Sequence, residues 1–216
     1  IIARFIAKHP EDQHVIVSSD TDFVQLLTDS VHQYNGITKE TIKITGVVGD
    51  DGKPVIDKKT GEQKIPAAPD YQLFKKCMRG DSSDNVFSAY PGVREKGSSK
   101  KVGLVEAYAD KNSKGFAWNN LMLQRWTDHN GVEHRVLDDY ERNVTLVDLT
   151  AQPAEIRDYV DDIIREHTVA KNKPMVGAHF MKFCGKWDMQ RVAENAQQFA
   201  LWLNANYKED EHGVRG

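Results

Sequence analysis

Val15-Ile16-Val17 is a run of three β-branched residues that stops at Ser18-Ser19, and Asp20 and Asp22 follow one residue apart. Such a run reads as a short strand buried on both faces, the kind found in a parallel sheet. Asp20 to Leu27 then reads as the start of a helix with Phe23, Val24 and Leu27 inward. Ahead of the strand, Ile1 to Pro10 reads as a helix already under way, with Ile1, Ile2, Phe5 and Ile6 in one apolar stripe and no capping residue before them. Helix, strand and helix together imply α/β architecture. In open α/β sheets, ligands sit beyond the carboxyl ends of the strands, where Asp20 and Asp22 fall. A helix cap accounts for one of these carboxylates; the second needs another reason.

The rest of the chain divides into short elements. Val31 to Tyr34 reads as a further strand. Residues 40–66 alternate in polarity, with turn signals at Asp51-Gly52 and Thr60-Gly61, and read as an antiparallel β-ribbon. Asp70 is placed to cap a helix running through Met78, with Gly80 at its C-terminal end. A helix is expected from about Val102 to Ala109, and a turn at Asn130-Gly131. Asn143 to Leu149 has the apolar content of a short strand or packed extended segment. Ile156, Val160, Ile163 and Ile164 share a helix face after Pro153, and Met189, Val192, Ala196, Phe199 and Leu203 share another. The charged tail after Tyr207 is expected to fray.

Composition bounds what such a chain can be. Of its 216 residues, 39% are hydrophobic and 28% charged, enough apolar matter for a core and too much for disorder. The net charge of −3 argues against a generally basic nucleic-acid binder but leaves room for a local basic patch. Two cysteines without a framework of spacings fit a reduced, cytoplasmic setting. There is no apolar run long enough for a membrane span, and no signal peptide is visible.

A second carboxylate pair, Asp81 and Asp84, lies in Arg79-Gly80-Asp81-Ser82-Ser83-Asp84-Asn85. Together with Asp20 and Asp22 it offers hard oxygen ligands of the kind Mg²⁺ prefers. Two such ions ~3.5–4 Å apart stabilise the attacking and leaving oxygens in phosphodiester hydrolysis. The plainer reading makes Asp20 and Asp84 caps and leaves Asp22 and Asp81 solvated. Arg94, Lys96, Lys100 and Lys101 form a basic run broken by Glu95, which is either a phosphate-contacting patch or a solvated loop. A phosphate loop is excluded there, because Ser98 follows Gly97 where that motif requires Lys. His129 and His134 flank a turn without cysteine partners and read as part of a hairpin. Cys77 falls on an apolar helix face and reads as core. Lysines and aromatics mix around Lys182 to Trp187, either as packing or as a partner contact.

Ser18 to Leu27, followed by Cys77 to Val86 and then Tyr90 to Lys101, resembles the 5′-nuclease family of flap endonucleases and polymerase-associated 5′–3′ exonucleases, and within it the T-even phage type of ribonuclease H. The resemblance implies a partial parallel-sheet nuclease core with helices on both faces, the β-ribbon as an insertion, and a helical DNA-binding lobe containing a helix–three-turn–helix. It implies Asp20, Asp22, Asp81 and Asp84 as catalytic metal ligands, and Gly92, Val93, Arg94, Lys96, Lys100 and Lys101 as DNA-binding residues. Core and ribbon would occupy residues 1–80, the DNA-binding and C-terminal helical lobe 81–207, and the tail 208–216. Two Mg²⁺ ions, with Mn²⁺ as a substitute, would serve hydrolysis near 5′ ends of DNA or RNA–DNA duplexes, as in primer removal during replication. The implied partners are duplex DNA and RNA–DNA hybrids with 5′ ends or flaps, together with replication proteins such as a single-stranded-DNA-binding protein or a clamp. The setting would be cytoplasmic, in the bacterial host if the chain is phage-encoded.

Two departures qualify the resemblance. Arg94 stands where the family's hairpin has a second Gly, which puts the hairpin's monovalent cation in doubt. The family's first ligand strand, helical arch and an acidic cluster would precede Ile1, so the chain reads as an N-terminally truncated fragment expected to be weak or inactive alone. The alternative is a non-catalytic DNA-binding or replication-interaction module.

Overall fold

The computed structural model describes residues 1–99, 101–167 and 175–203. The chain forms two compact units, Ile1–Asp158 and Tyr159–Gly216. In the first, helix α1 (Ile2–Lys8) leads into β1 (His14–Val17), and β2 (Val31–Asn35), β3 (Glu40–Lys43) and β4 (Gly46–Gly49) complete a sheet in the order β1-β2-β3-β4. β1 and β2 are parallel, with His14 opposite Val31 and Val17 opposite Tyr34. The other two pairings are antiparallel, so the sheet is mixed and the ribbon extends it from β2.

The expectation that β1 is buried on both faces is corrected. Ile16 is buried, but Val15 and Val17 are 61% and 74% exposed. A run composed only of β-branched residues carries no alternation, so it cannot distinguish one buried face from two. Among the described residues, helices on both faces of the sheet are likewise not seen at β1. After β1 the expected helix is a short 3₁₀ helix (Thr21–Leu26), with Val24 and Leu27 buried as read and Phe23 half-buried.

α2 (Pro69–Arg79) begins on Pro69, whose missing N–H costs nothing in a first turn. Asp70 is not the cap; Ala68 holds that place, and Asp70 lies in the first turn, where a carboxylate complements the helix dipole. Phe74, Cys77 and Met78 are buried, and burial pushes the Cys77 thiol up to about 12. Phe74 sits among aromatic rings, with centroids 5.5 Å from Tyr108, 6.0 Å from Trp118 and 5.7 Å from Tyr140. Those rings come from α3 (Leu104–Ala109), α4 (Phe116–Met122) and α5 (Val136–Val147). The turn at Asn130-Gly131 closes a hairpin of β5 (Arg125–Thr127) and β6 (Glu133–Arg135). There His134 stacks on Trp126 at 4.5 Å and its Nδ1 lies 3.1 Å from Asp139.

α5 corrects the reading of residues 143–149. Asn143 to Val147 are helical, and Val136, Tyr140, Asn143 and Val147 are buried at intervals of four, three and four. The β-branched residues favour a strand, but burial at helical spacing overrides that local preference. Asn143 is fully buried, and its Nδ2 donates to Cys77 O at 2.8 Å and Phe87 O at 2.7 Å.

α6 spans Ala154–His167. Of the four apolar residues expected on its buried face, Ile164 is buried, while Ile156 and Ile163 are exposed and Val160 is half-buried. In the second unit, α7 (Val176–Lys186) packs against α9 (Ala196–Leu203), with Phe180 and Phe199 edge-on at 6.1 Å. The helix expected from Trp187 onwards is broken into α8 (Gln190–Ala193) and α9. Lys100 and the tail 208–216 lie outside the described residues. No helix among the described residues is long and apolar enough to cross a membrane.

Replacing Asn143 by Ala removes the donor from two buried carbonyls and leaves a cavity. The variant should lose about 2–4 kcal/mol of stability, read as a lowered urea midpoint at unchanged slope.

Candidate metal centre

The end of β1 is held from β2. Ser18 N–H donates to Tyr34 O at 3.0 Å, and the buried Gln33 donates from Nε2 to Ser18 O at 2.9 Å and Asp20 O at 2.7 Å. The chain turns there because Asp20 caps the 3₁₀ helix, its Oδ1 accepting from Asp22 N–H at 2.9 Å. Gln25 ties the same helix to the end of α5, donating to Val147 O at 3.2 Å and accepting from Leu149 N–H at 2.9 Å.

The second carboxylate pair lies on a turn at the end of α2. Gly80 ends the helix with φ 75° and ψ −177°, a conformation that is essentially restricted to glycine. A Cβ at Gly80 would lie 2.3 Å from Val86 O and 2.7 Å from the Phe87 carbonyl carbon. Asp81 and Val86 exchange backbone hydrogen bonds of 2.8 Å in both directions, closing the turn. The Asp81 carboxylate also accepts from Ser83 N–H at 2.9 Å and Ser83 Oγ–H at 2.5 Å.

These two segments bring Asp22, Asp81 and Asp84 together, with one carboxylate oxygen from each inside a 4.8 Å sphere of mutual distances. Asp22 and Asp81 are half-buried and Asp84 is exposed. Asp20 is not in the group: its side chain is exposed and spent on the cap, as in the plainer reading of the sequence. Lys76 stands among the carboxylates, bonded to Asp22 and 2.7 Å from Asp81 Oδ2. Its ammonium, with the Ser83 donors, holds the Asp81 carboxyl far below the usual carboxylate range. Thr21, Asp22, Lys76, Arg79 and Asp81 line a cleft of about 280 Å³.

The basic run lies on the loop between this turn and α3. Val93 N–H donates to Tyr90 O at 3.2 Å, with Pro91 and a positive-φ Gly92 between them, the residue pattern of a type II turn. Val93 packs against the helical core, whereas Arg94, Lys96 and Lys101 are exposed. Glu95 points away from the run: it accepts from Tyr71 Oη–H at 2.5 Å and pairs with Arg79 at 2.7 Å. Among the described residues, Lys96 and Lys101 therefore do not have Glu95 as their counter-charge.

Sequence reasoning missed Lys76, Gln25, Gln33 and Asn143. Lys76 had a signal, standing one helical turn before a Gly-Asp helix end, but it was hidden in a Lys75-Lys76 pair typical of a solvated face. The three amides act across long chain separations, which no local pattern reports.

The motifs, with the sequence match, support the 5′-nuclease family. The match is to DNA polymerase I of Rhizobium leguminosarum, 30% identical over 120 residues, covering 56% of this chain and 9% of that one. The chain thus spans less than a tenth of that relative's length. Among solved structures, the crystal structure of the T5 D15 protein co-crystallized with metal ions aligns with TM-score 0.42 and 16% identity, over 76% of this chain and 58% of that one. No protein-family model matches.

Gly80→Ala should cost about 1–3 kcal/mol from backbone strain alone, and relief of the clash requires residues 86–88 to move from the helix end. Thermal melting should show the loss. Hydrogen exchange should show Asp81 and Val86 amides losing protection before the core of α2.

Proposed function

We propose that this chain carries the carboxylate site and the DNA-gripping part of a metal-dependent, structure-specific 5′ nuclease. The reaction class is hydrolysis of phosphodiester bonds near 5′ ends of DNA or RNA–DNA duplexes, as a 5′–3′ exonuclease, flap endonuclease or ribonuclease H in primer removal. The observation that carries this reading is the convergence of Asp22, Asp81 and Asp84 from two segments far apart in the chain.

The residues fit a divalent cation. Carboxylate oxygens are hard donors suited to Mg²⁺, with Mn²⁺ as a substitute. The Lys76 ammonium between Asp22 and Asp81 marks a point where positive charge is stabilised. Asp22, Asp81 and Asp84 would hold the metal, with Asp20 adding negative charge from its place at the cap. A bound divalent ion would supply charge neutralisation at the phosphate and a more acidic water. The protein's own part is to hold the carboxylates rigidly. Gln33 and Gln25 hold the Asp22 segment, and Gly80, Ser83 and Asn143 hold the Asp81 turn.

Duplex DNA and RNA–DNA hybrids with 5′ ends or flaps are the proposed substrates. Gly92, Val93, Arg94, Lys96, Lys100 and Lys101 are the proposed grip, in a helix–three-turn–helix whose last helix is α3. Backbone and basic side chains there would contact phosphates without reading sequence. The functional division follows as nuclease core in 1–80 and grip with helical lobe in 81–207. A single-stranded-DNA-binding protein or a clamp is a proposed partner, and the cytoplasm the proposed setting, which suits two free buried cysteines.

The test is an assay of the protein with Mg²⁺ on a 5′ flap and on an RNA–DNA duplex. Cleavage should fall by at least about 10²-fold in both Asp22→Asn and Asp81→Asn, since each removes a charged ligand. Retained DNA binding without cleavage in the unmutated protein would favour the non-catalytic module instead. Changing Arg94, Lys96, Lys100 or Lys101 to Ala should each lower the log–log salt slope of duplex binding by ~0.9. An unchanged slope would mark the run as a solvated loop.

A further inference from the structure

The turn that bears Asp81 and Asp84 also displays an aromatic ring that neither the core nor the carboxylate site uses. Phe87 is 78% exposed, three positions after Asp84. Its neighbours turn inward: Val86 packs on the core, Ser88 is half-buried and Ala89 is fully buried. Among the described residues no other ring stacks on it.

The exposure is imposed by a pinned backbone. Val86 is bonded to Asp81 in both directions at 2.8 Å, and Phe87 O accepts from the buried Asn143 at 2.7 Å. Ser88 Oγ–H donates to Met78 O at 3.0 Å, and Ala89 N–H donates to the same carbonyl at 3.1 Å. The close approach of Gly80 to Val86 and Phe87 fixes the segment from below. With Val86 packed on the core and Ala89 buried, the Phe87 ring faces water. A large apolar ring held in water on the same braced turn as Asp81 and Asp84 has its surface available for a flat apolar ligand.

We propose that Phe87 is a stacking platform for an unpaired base of the nucleic-acid strand whose phosphate meets the carboxylate cluster. This inference rests on the nuclease reading. A base presents a π-face whatever its identity, so a phenyl ring gives placement without sequence preference. Stacking of the base next to the reacting phosphate would favour strands that are frayed or flapped over fully paired duplex, because only an unpaired base leaves its own stack without loss.

The experiment uses a 5′-flap duplex with 2-aminopurine at the flap base adjoining the junction, with Ca²⁺ in place of Mg²⁺. Wild type, Phe87→Trp, Phe87→Leu and Phe87→Ala are compared, with Phe116→Ala as a control for loss of an exposed ring, since Phe116 is 81% exposed. Wild type and Phe87→Trp should quench the probe on binding, and Phe87→Ala and Phe87→Leu should not. The Kd for the flap should rise about 5- to 150-fold in the Ala and Leu variants, the range of a lost base–aromatic stack, while fully paired duplex is bound as by wild type. Leu keeps the apolar bulk without the π-face, so Leu binding like wild type overturns stacking. Quenching and affinity within about twofold of wild type in Phe87→Ala also overturn it, as does an equal loss in Phe116→Ala. Mg²⁺-dependent cleavage by wild type is measured in parallel. If wild type neither cleaves nor binds the flap, the nuclease reading fails and this inference with it. If wild type cleaves and Phe87→Ala stacks unchanged, only this inference fails.

Discussion

Both aspartate-bearing segments are braced by one helix. α5 reaches the Asp81 turn through Asn143, which donates to Phe87 O and Cys77 O, and its C-terminal end reaches the Asp22 segment through Gln25. The Asn143 amide is fully buried, so its bonds cannot be exchanged for solvent at low cost. Through them the position of Asp81 relative to Asp22 becomes a property of the helical core. The aromatic cluster around Phe74 then sets where α2 and α5 meet, and so where the carboxylates converge.

Gathering carboxylates is electrostatically unfavourable, and two devices offset it. Lys76 places a cation between Asp22 and Asp81, and the Ser83 donors stabilise charge on Asp81. A site of this kind keeps its shape while the negative charge is partly neutralised by the protein itself. In the proposed enzyme the same charge would be available to a divalent cation. The pairing of Glu95 with Arg79 and Tyr71 performs a related task at the next loop. It ties that loop to α2 and removes a negative charge from among the exposed basic side chains.

The sheet contributes a single strand end to the site. β1 is parallel to β2, and Gln33 from β2 holds the chain where it leaves the sheet. Asp20 caps the 3₁₀ helix at this point through Oδ1, and its carboxylate is not among those that gather at the Asp81 turn. The i, i+2 spacing that makes the pair conspicuous in the sequence is the spacing of a cap and a member of the carboxylate cluster.

The sequence by itself determined the local grammar: the strand ending in Ser-Ser-Asp, the ribbon with its Gly turns and the Gly80 stop, and it singled out both carboxylate pairs as candidates. These are legible because turn chemistry and capping act over a few residues. Burial was less legible. The all-apolar β1 hid its exposed face, and β-branched residues in α5 spoke for a strand that packing at helical intervals overruled. Only the tertiary structure decided that Asp22 joins Asp81 and Asp84 while Asp20 does not, and that Lys76, Gln25, Gln33 and Asn143 hold the arrangement. Contacts of this kind join residues 13 to 124 positions apart, and their energy comes from a burial that exists only once the chain has folded.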